Sequence, residues 1–308
     1  MNFPNKEKPE NTAYLQLLML CGYALAGLLI CSILGFIVLY LMYGEVVLMD
    51  MAALTVGDSK YLNGLKVFQI LSSIGLFLAP PLFLALTERK KIKDFYGFNK
   101  PTLPLLGLVV LIMVVTMPFM EWTALWNQQM HLPDFLKSVE VWMKEKEAEA
   151  MRMTFIFLKI NGIGDFLFNL LTIALIPAIA EELMFRGGVQ RAFMRMFNNP
   201  HVAIWLAAFI FSAIHLQFYG FLPRLLLGAL FGYLYLWTGS LWYAMLAHFV
   251  NNAYAVCVAW YMQANNMPLN QTEATLNTPW YGYVISLLAG VYLLFYYKNK
   301  ANYGKQLG

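Results

Sequence analysis

The run from Tyr14 to Tyr43 reads YLQLLMLCGYALAGLLICSILGFIVLYLMY, and none of its side chains is charged. A helix needs roughly 20 mostly apolar residues to cross a bilayer, so this stretch spans with turns to spare. Its apolar residues run continuously instead of alternating, the pattern of a helix and not of a barrel strand. Lys6 and Lys8 precede it, and Ala24-Leu25-Ala26 resembles a signal-peptidase site. The apolar run continues well beyond that site, too far for a cleaved leader, and is read as a retained span.

Outward from this run the pattern recurs at about 67–87, 103–120, 163–183, 201–219, 222–238, 241–262 and 280–297. The expected fold is an all-α, polytopic membrane helical bundle of about eight transmembrane helices. Composition agrees, because 60% of the 308 residues are apolar and only 12% are charged. A soluble domain is about half apolar and a quarter charged. Too little charge is present to coat a soluble globule, which excludes a soluble enzyme, a disordered chain and a nucleic-acid binder. Cys21, Cys31 and Cys257 sit in apolar runs without C-x-x-C spacing, and read as small packing residues.

Lysine and arginine set the expected orientation, because they concentrate in cytoplasmic loops. With eight spans and both termini cytoplasmic, 13 of the 21 fall inside: Lys6, Lys8, Arg89, Lys90, Lys91, Lys93, Lys100, Arg186, Arg191, Arg195, Lys298, Lys300 and Lys305. The loop at 263–279 holds none, which suits an outer face. This divides the chain into a cytoplasmic tail (1–13), three spans (14–120), a polar segment (121–162), a four-helix catalytic core (163–262) and a last span with a basic tail (280–308). The cell membrane is the expected location. The polar segment contains Lys144-Glu145-Lys146-Glu147 and Glu149 among Trp122, Trp126 and Trp142. It reads as an interfacial helix with aromatic anchors, or as a lid over a substrate path.

Ionisable residues inside spans are costly and mark function. Asp165 and Arg224 lie near span starts, within reach of the interface, and are set aside. The rest cluster: Glu181, Glu182 and Arg186 at the end of the fourth span, His215 in the fifth, and His248, Asn251 and Asn252 in the seventh. Positions i and i+4 share a helix face, so Glu182 and Arg186 suit an ion pair. Glu181 projects about 100° away and escapes it. His248 and Asn252 share a face in the same way. Pro177 donates no backbone hydrogen bond, which leaves the Ile173 carbonyl without its helical partner and bends the helix.

These residue types suit addition of water to a carbonyl. Glu181 takes a proton from a water that His215 holds, while His248 and Asn252 donate to the oxyanion. The same donors also suit Zn²⁺ held by Glu181, His215 and His248, with a bound water of lowered pKa. The preferred mechanism requires no cofactor, because a zinc site leaves Asn252 without an electrophilic role. H-E-x-x-H is absent.

At these residues the chain resembles a known family. Glu181-Glu182-Leu-Met-Phe-Arg186 fits E-E-x-x-x-R, Phe211-Ser-Ala-Ile-His215 fits F-x-x-x-H, and His248-Phe-Val-Asn-Asn252 fits H-x-x-x-N. In that order, over about 163–256, they resemble the CPBP family of CAAX proteases and bacteriocin-processing or self-immunity (Abi) proteins. The resemblance implies an intramembrane endopeptidase in which the first glutamate and the histidine of the second motif activate water. The last histidine and asparagine stabilise the oxyanion, and Glu182 and Arg186 support. It further implies a membrane-embedded or lipidated peptide or protein substrate, in some relatives a prenylated C-terminal motif. Arg186, Arg191 and Arg195 suggest a site opening toward the cytoplasmic leaflet. Two other readings compete: a non-enzymatic immunity or scaffold protein, and a proton-coupled transporter. The transporter needs a polar path through both leaflets, which the charge-free early spans do not offer.

Overall fold

Each of the eight apolar stretches carries a helix in a computed structural model, which describes residues 9–49, 59–269 and 278–306. Along the chain come α1 (Ala13–Tyr43), α2 (Leu62–Thr87), the short α3 (Ile92–Tyr96), α4 (Leu103–Gln128), α5 (Lys137–Phe157) and α6 (Ile163–Phe197). They are followed by α7 (Pro200–Ala213), α8 (Phe221–Thr238), α9 (Leu241–Ala264) and α10 (Trp280–Gln306). No strand occurs among the described residues. Lys6, Lys8 and residues 270–277 of the loop at 263–279 lie outside the described residues.

Among the described residues six helices, α1, α2, α4, α6, α8 and α10, are long and apolar enough to cross a membrane. The protein is an integral, multi-pass membrane protein. The two expected spans that fall short are α7 and α9, and each has a physical reason. The 14 residues of α7 reach only about 21 Å, against roughly 30 Å of hydrocarbon. The 24 residues of α9 are long enough, but His248, Asn251 and Asn252 make it more polar than an ordinary span. The two exceptions are the helices that carry or adjoin the second and third motifs. Boundaries shift as well: α4 runs on to Gln128 and takes the first residues of the polar segment, and α6 continues to Phe197.

Side-chain contacts sort the helix ends into two layers. At one end Glu10 takes both carboxylate oxygens to Arg191 at 2.7 Å and meets Arg195 at 3.0 Å. Burial works to raise the Glu10 carboxyl, but the Arg191 hydrogen bonds and charge hold it below the ordinary range. Beside it the Asn11 backbone N–H donates to Glu88 at 3.0 Å, and Leu241 N–H donates to the Gly97 carbonyl at 3.0 Å. Gly97 and Gly239 turn there at φ +72° and +68°, a left-handed backbone that favours glycine. This layer gathers residues 9–12, the segments 88–102 and 191–201, and the end of α10, and with them Arg89, Lys90, Lys91, Lys93, Lys100, Lys298 and Lys300.

At the opposite end Leu222 N–H donates to Asn127 at 2.6 Å, and Ile160 N–H donates to Gln263 at 2.9 Å. Here α5 covers the turn between α7 and α8: Tyr219 N–H donates to Glu147 at 3.2 Å, and Trp142 packs on Phe218 at 5.3 Å. Within the bundle α6 and α8 are the most enclosed spans, with 33% and 39% of their apolar windows buried, whereas α1 has 11% and leaves its sides to lipid. The enclosed spans therefore position the motif residues.

The α1–α2 crossing depends on two glycines. A Cβ on Gly75 would strike the carbonyl oxygen of Gly27, and one on Gly27 would strike that of Gly75. Small residues let membrane helices approach this closely, and Gly75 lies in a widened π-helical turn, Ile74–Leu78. Gly75→Leu is expected to part these helices at a cost of about 1–3 kcal/mol or more. Thermal unfolding in detergent micelles checks this, and an unchanged midpoint would show that the close approach is dispensable.

Candidate active site

Helix α6 is not uniform around its acidic pair. Two π-helical turns, Leu170–Leu175 and Leu183–Gln190, flank the α-helical Ile176–Glu182. Such widened turns occur frequently at functional sites. Pro177 has no N–H to offer the carbonyl of Ile173, and that carbonyl instead accepts from the side-chain amide of Asn252 at 3.1 Å. The proline thus ties α6 to α9 at the level of the site.

One turn further on, Glu182 and Arg186 form an ion pair of 2.7 Å with exposures of 0% and 1%. The other guanidinium nitrogen donates to the Gly228 carbonyl at 2.8 Å. The rings of Phe211 and Phe231 lie 4.8 and 5.3 Å from the guanidinium carbon. This gives the buried charge a carboxylate, a carbonyl and two aromatic partners, the conditions under which burial is tolerable.

His248 stands between the two glutamates. Its Nδ1 lies 2.8 Å from Glu182 Oε1, and its Nε2 lies 4.0 Å from Glu181 Oε2. An ionised carboxylate only accepts, so Nδ1 donates and Nε2 is the nitrogen left for chemistry. Phe231 stacks on the ring at 5.3 Å and holds its plane. His215, two residues past the end of α7, has its Nδ1 2.7 Å from the Phe211 carbonyl. A carbonyl only accepts, so Nδ1 donates here too, and a neutral His215 carries its lone pair on Nε2.

These groups share a cavity of about 470 Å³, the size of a small-ligand pocket. Glu181, His215, His248, Asn251 and Asn252 all line it, whereas Glu182 and Arg186 stand behind it. Asn252 is not wholly free within it. One of its N–H groups is engaged by Ile173, and its oxygen accepts from Asn251 at 3.2 Å. Its second N–H is left for a ligand.

The cavity runs from Glu181 toward the end of the bundle opposite the basic layer, where His215, Gly220 and Arg224 line it. The expected opening beside Arg186, Arg191 and Arg195 is therefore corrected. Arg186 is consumed in the buried pair, and Arg191 and Arg195 bind Glu10 at the far end.

Sequence reasoning missed three polar residues. Arg224 lies in the first turn of α8 and reads as an interfacial arginine, yet its side chain lines the cavity. Gln69 of α2 lines it too. Lys66, one turn earlier, is 1% exposed and bonded to Asn169 at 2.6 Å. The second span as drawn from hydropathy begins at 67 and leaves Lys66 outside. Its apparent position in a loop concealed it.

No three His, Cys, Asp or Glu side chains stand close enough to hold one ion among the described residues. Arg186 and His248 share one carboxylate oxygen of Glu182, Oε1.

Residues 163–254 match the family described as type II CAAX prenyl endopeptidase Rce1-like. The matched window opens on the first residue of α6 and contains Glu181, Glu182, Arg186, His215, His248 and Asn252. An uncharacterized protein of Bacillus subtilis (strain 168), YpbD, is 32% identical over 93 residues. That match covers 29% of this chain and 44% of the relative's length. No solved structure matches.

Proposed function

We propose that the chain, whose segment 163–254 matches the Rce1-like CAAX endopeptidase family, hydrolyses a peptide bond of a membrane-associated peptide or protein inside this cavity. The observation that carries the reading is the division of labour between adjacent glutamates. Glu182 is locked by Arg186 and His248, while Glu181 faces the cavity and Nε2 of His248 at 4.0 Å. A gap of that size between two polar atoms is one that a water bridges.

Glu181 takes a proton from the water as its oxygen adds to the scissile carbonyl carbon, with His215 Nε2 accepting from the same water. The carbonyl becomes an oxyanion, which the remaining Asn252 N–H and a protonated His248 Nε2 stabilise. Glu182 holds Nδ1–H and favours that imidazolium. Collapse of the intermediate breaks the C–N bond, and Glu181 returns its proton to the leaving amine.

The concentration of Lys and Arg supports an orientation in the cell membrane with the basic layer and both termini on the cytoplasmic side. The cavity mouth then lies on the other face, and substrate reaches it from there. A single cysteine at Tyr219, in a background lacking Cys21, Cys31 and Cys257, is expected to react with an impermeant maleimide on intact cells. One at Lys91 is expected to react only after permeabilisation, and the reverse pattern would overturn this orientation.

The catalytic reading is tested by a mass-spectrometric survey of peptide ends in membranes of the native host. Cells with the intact protein are compared with cells carrying Glu181→Gln at equal abundance. Ends that depend on Glu181 identify the substrate and bond. Their absence across several growth conditions would support the immunity or scaffold reading instead.

A further inference from the structure

Lys66 of α2 and Asn169 of α6 are 1% and 0% exposed, and the ammonium donates to the Asn169 side-chain oxygen at 2.6 Å. A lysine only donates, so this bond fixes the amide, and Asn169 Nδ2 is turned away with no partner among the described residues. Lys66 lies beside the Phe168 ring at 5.8 Å, and the charge of Asp165, in the first turn of α6, acts on it. The same two helices meet again at Phe77 and Phe185, so they run in the same direction. A step of three residues along each from the Lys66–Asn169 bond therefore reaches Gln69 and Thr172 at about one level. Gln69 Oε1 and Thr172 Oγ1 are buried, again with no hydrogen-bond partner among the described residues. Thr172 is the exception among its kind. Thr87, Thr116, Thr123, Thr154 and Thr238 each donate to a carbonyl three or four residues back in their helices. Thr172 lies instead in the widened turn Leu170–Leu175. At this level Gln69 and Ile173 line the cavity that holds Glu181.

We propose that this seam between α2 and α6 is a water-binding site. A file of waters runs from the end near Asp165, past Lys66 and Asn169, then Thr172 and Gln69, into the cavity, and supplies the water that Glu181 activates. Polar groups at membrane depth are costly when unpaired, and buried waters settle where several such groups converge. The seam offers both halves of the bonding that a file requires: the ammonium and the amide N–H donate, the Gln69 oxygen accepts, and the Thr172 hydroxyl does either. Hydrolysis consumes a water for each bond cut. A peptide drawn in past Gly220 and Arg224 stands in the mouth of the cavity, and a second route on the α2 side lets water arrive with the peptide in place. The inference rests on the endopeptidase reading for the use of the water and not for its presence.

The test uses the full chain in lipid nanodiscs, in a background lacking Cys21, Cys31 and Cys257, with Thr172→Cys as a single reporter. The infrared S–H band of a thiol shifts when D₂O replaces water, so contact with solvent is read with no substrate present. Exchange is expected to be at least about tenfold faster at 172 than for Thr116→Cys, a buried position in α4 that exchanges only when the bundle opens. Lys66→Met with Asn169→Leu removes the outer pair together and is expected to slow exchange at 172 by about tenfold. Equal rates at the two positions, or a rate at 172 that ignores the paired substitution, would overturn the proposal. Turnover supplies the second arm. Thr172 does not line the cavity and its hydroxyl carries no hydrogen bond among the described residues. Thr172→Val, with the native cysteines, is therefore expected to lower kcat about tenfold while KM and the thermal midpoint stay in place. A merely structural threonine would move the midpoint and spare kcat, which would also overturn the proposal. A chain that cleaves nothing yet exchanges rapidly at 172 would leave the water file standing and sink the endopeptidase reading alone.

Discussion

Glu181→Gln is expected to lower kcat/KM for peptide-bond cleavage by about 10²- to 10⁴-fold, the range that a positioned general base contributes. The substitution keeps the shape and hydrogen-bonding reach of the side chain and removes its ability to take a proton. It does not touch the fold, because Glu181 takes no part in the Glu182–Arg186 pair or in the hydrogen bond to His248 Nδ1. The thermal midpoint is therefore expected to stay where it is while turnover collapses. KM should change little, since the missing proton acceptor matters when water adds to the carbonyl and not when the peptide binds. The measurement is steady-state cleavage by the reconstituted protein of a substrate found in the peptide-end survey, beside a melting curve of each form. Retention of full turnover by the glutamine protein would remove Glu181 from the chemistry.

The bundle was legible because lipid leaves so few choices. A charge-free run such as 14–43 must satisfy every backbone group internally, and only a helix does so within a single segment. The polar cluster was legible for the complementary reason: ionisable groups at membrane depth are rare enough that Glu181, Glu182, Arg186 and His248 stand out against apolar neighbours. Helical spacing alone separated the two glutamates. What hydropathy cannot see is direction at a span's edge. Arg224 and Lys66 both lie within a turn or two of a helix start, where a long side chain can reach water or turn inward, and packing decides between the two. Nor does spacing reveal widened turns. The π-helical segments around the acidic pair are joined to the neighbouring helices by tertiary bonds, Asn252 on the Ile173 carbonyl and Arg186 on that of Gly228, between residues far apart in sequence. Side of opening was misread for a related reason, because counting arginines does not show that one of them is buried.

Breaking the Glu182–Arg186 pair from either side is expected to destabilise the bundle by about 3–5 kcal/mol, the range for a buried charge that loses its partner. Arg186→Met leaves an ionised Glu182 between α6 and α9 with only His248 to answer it. Glu182→Leu leaves the guanidinium against two phenylalanine rings and one carbonyl, and also strips Nδ1 of His248 of its acceptor. Removing both charges together is a different case. Glu182→Leu with Arg186→Met replaces the pair by apolar groups of similar volume, an exchange that is often neutral in a low-dielectric interior. The double variant is thus expected to melt well above either single variant, and a cycle over the four proteins reads the coupling directly. Activity should not return with stability. His248 without Glu182 loses the partner that fixes its tautomer and supports its charged form, so the double variant is expected to fold and remain inert. Single variants that melt with the intact protein would show the pair to be solvated, and a double variant that regains turnover would show that Glu182 acts on the fold alone.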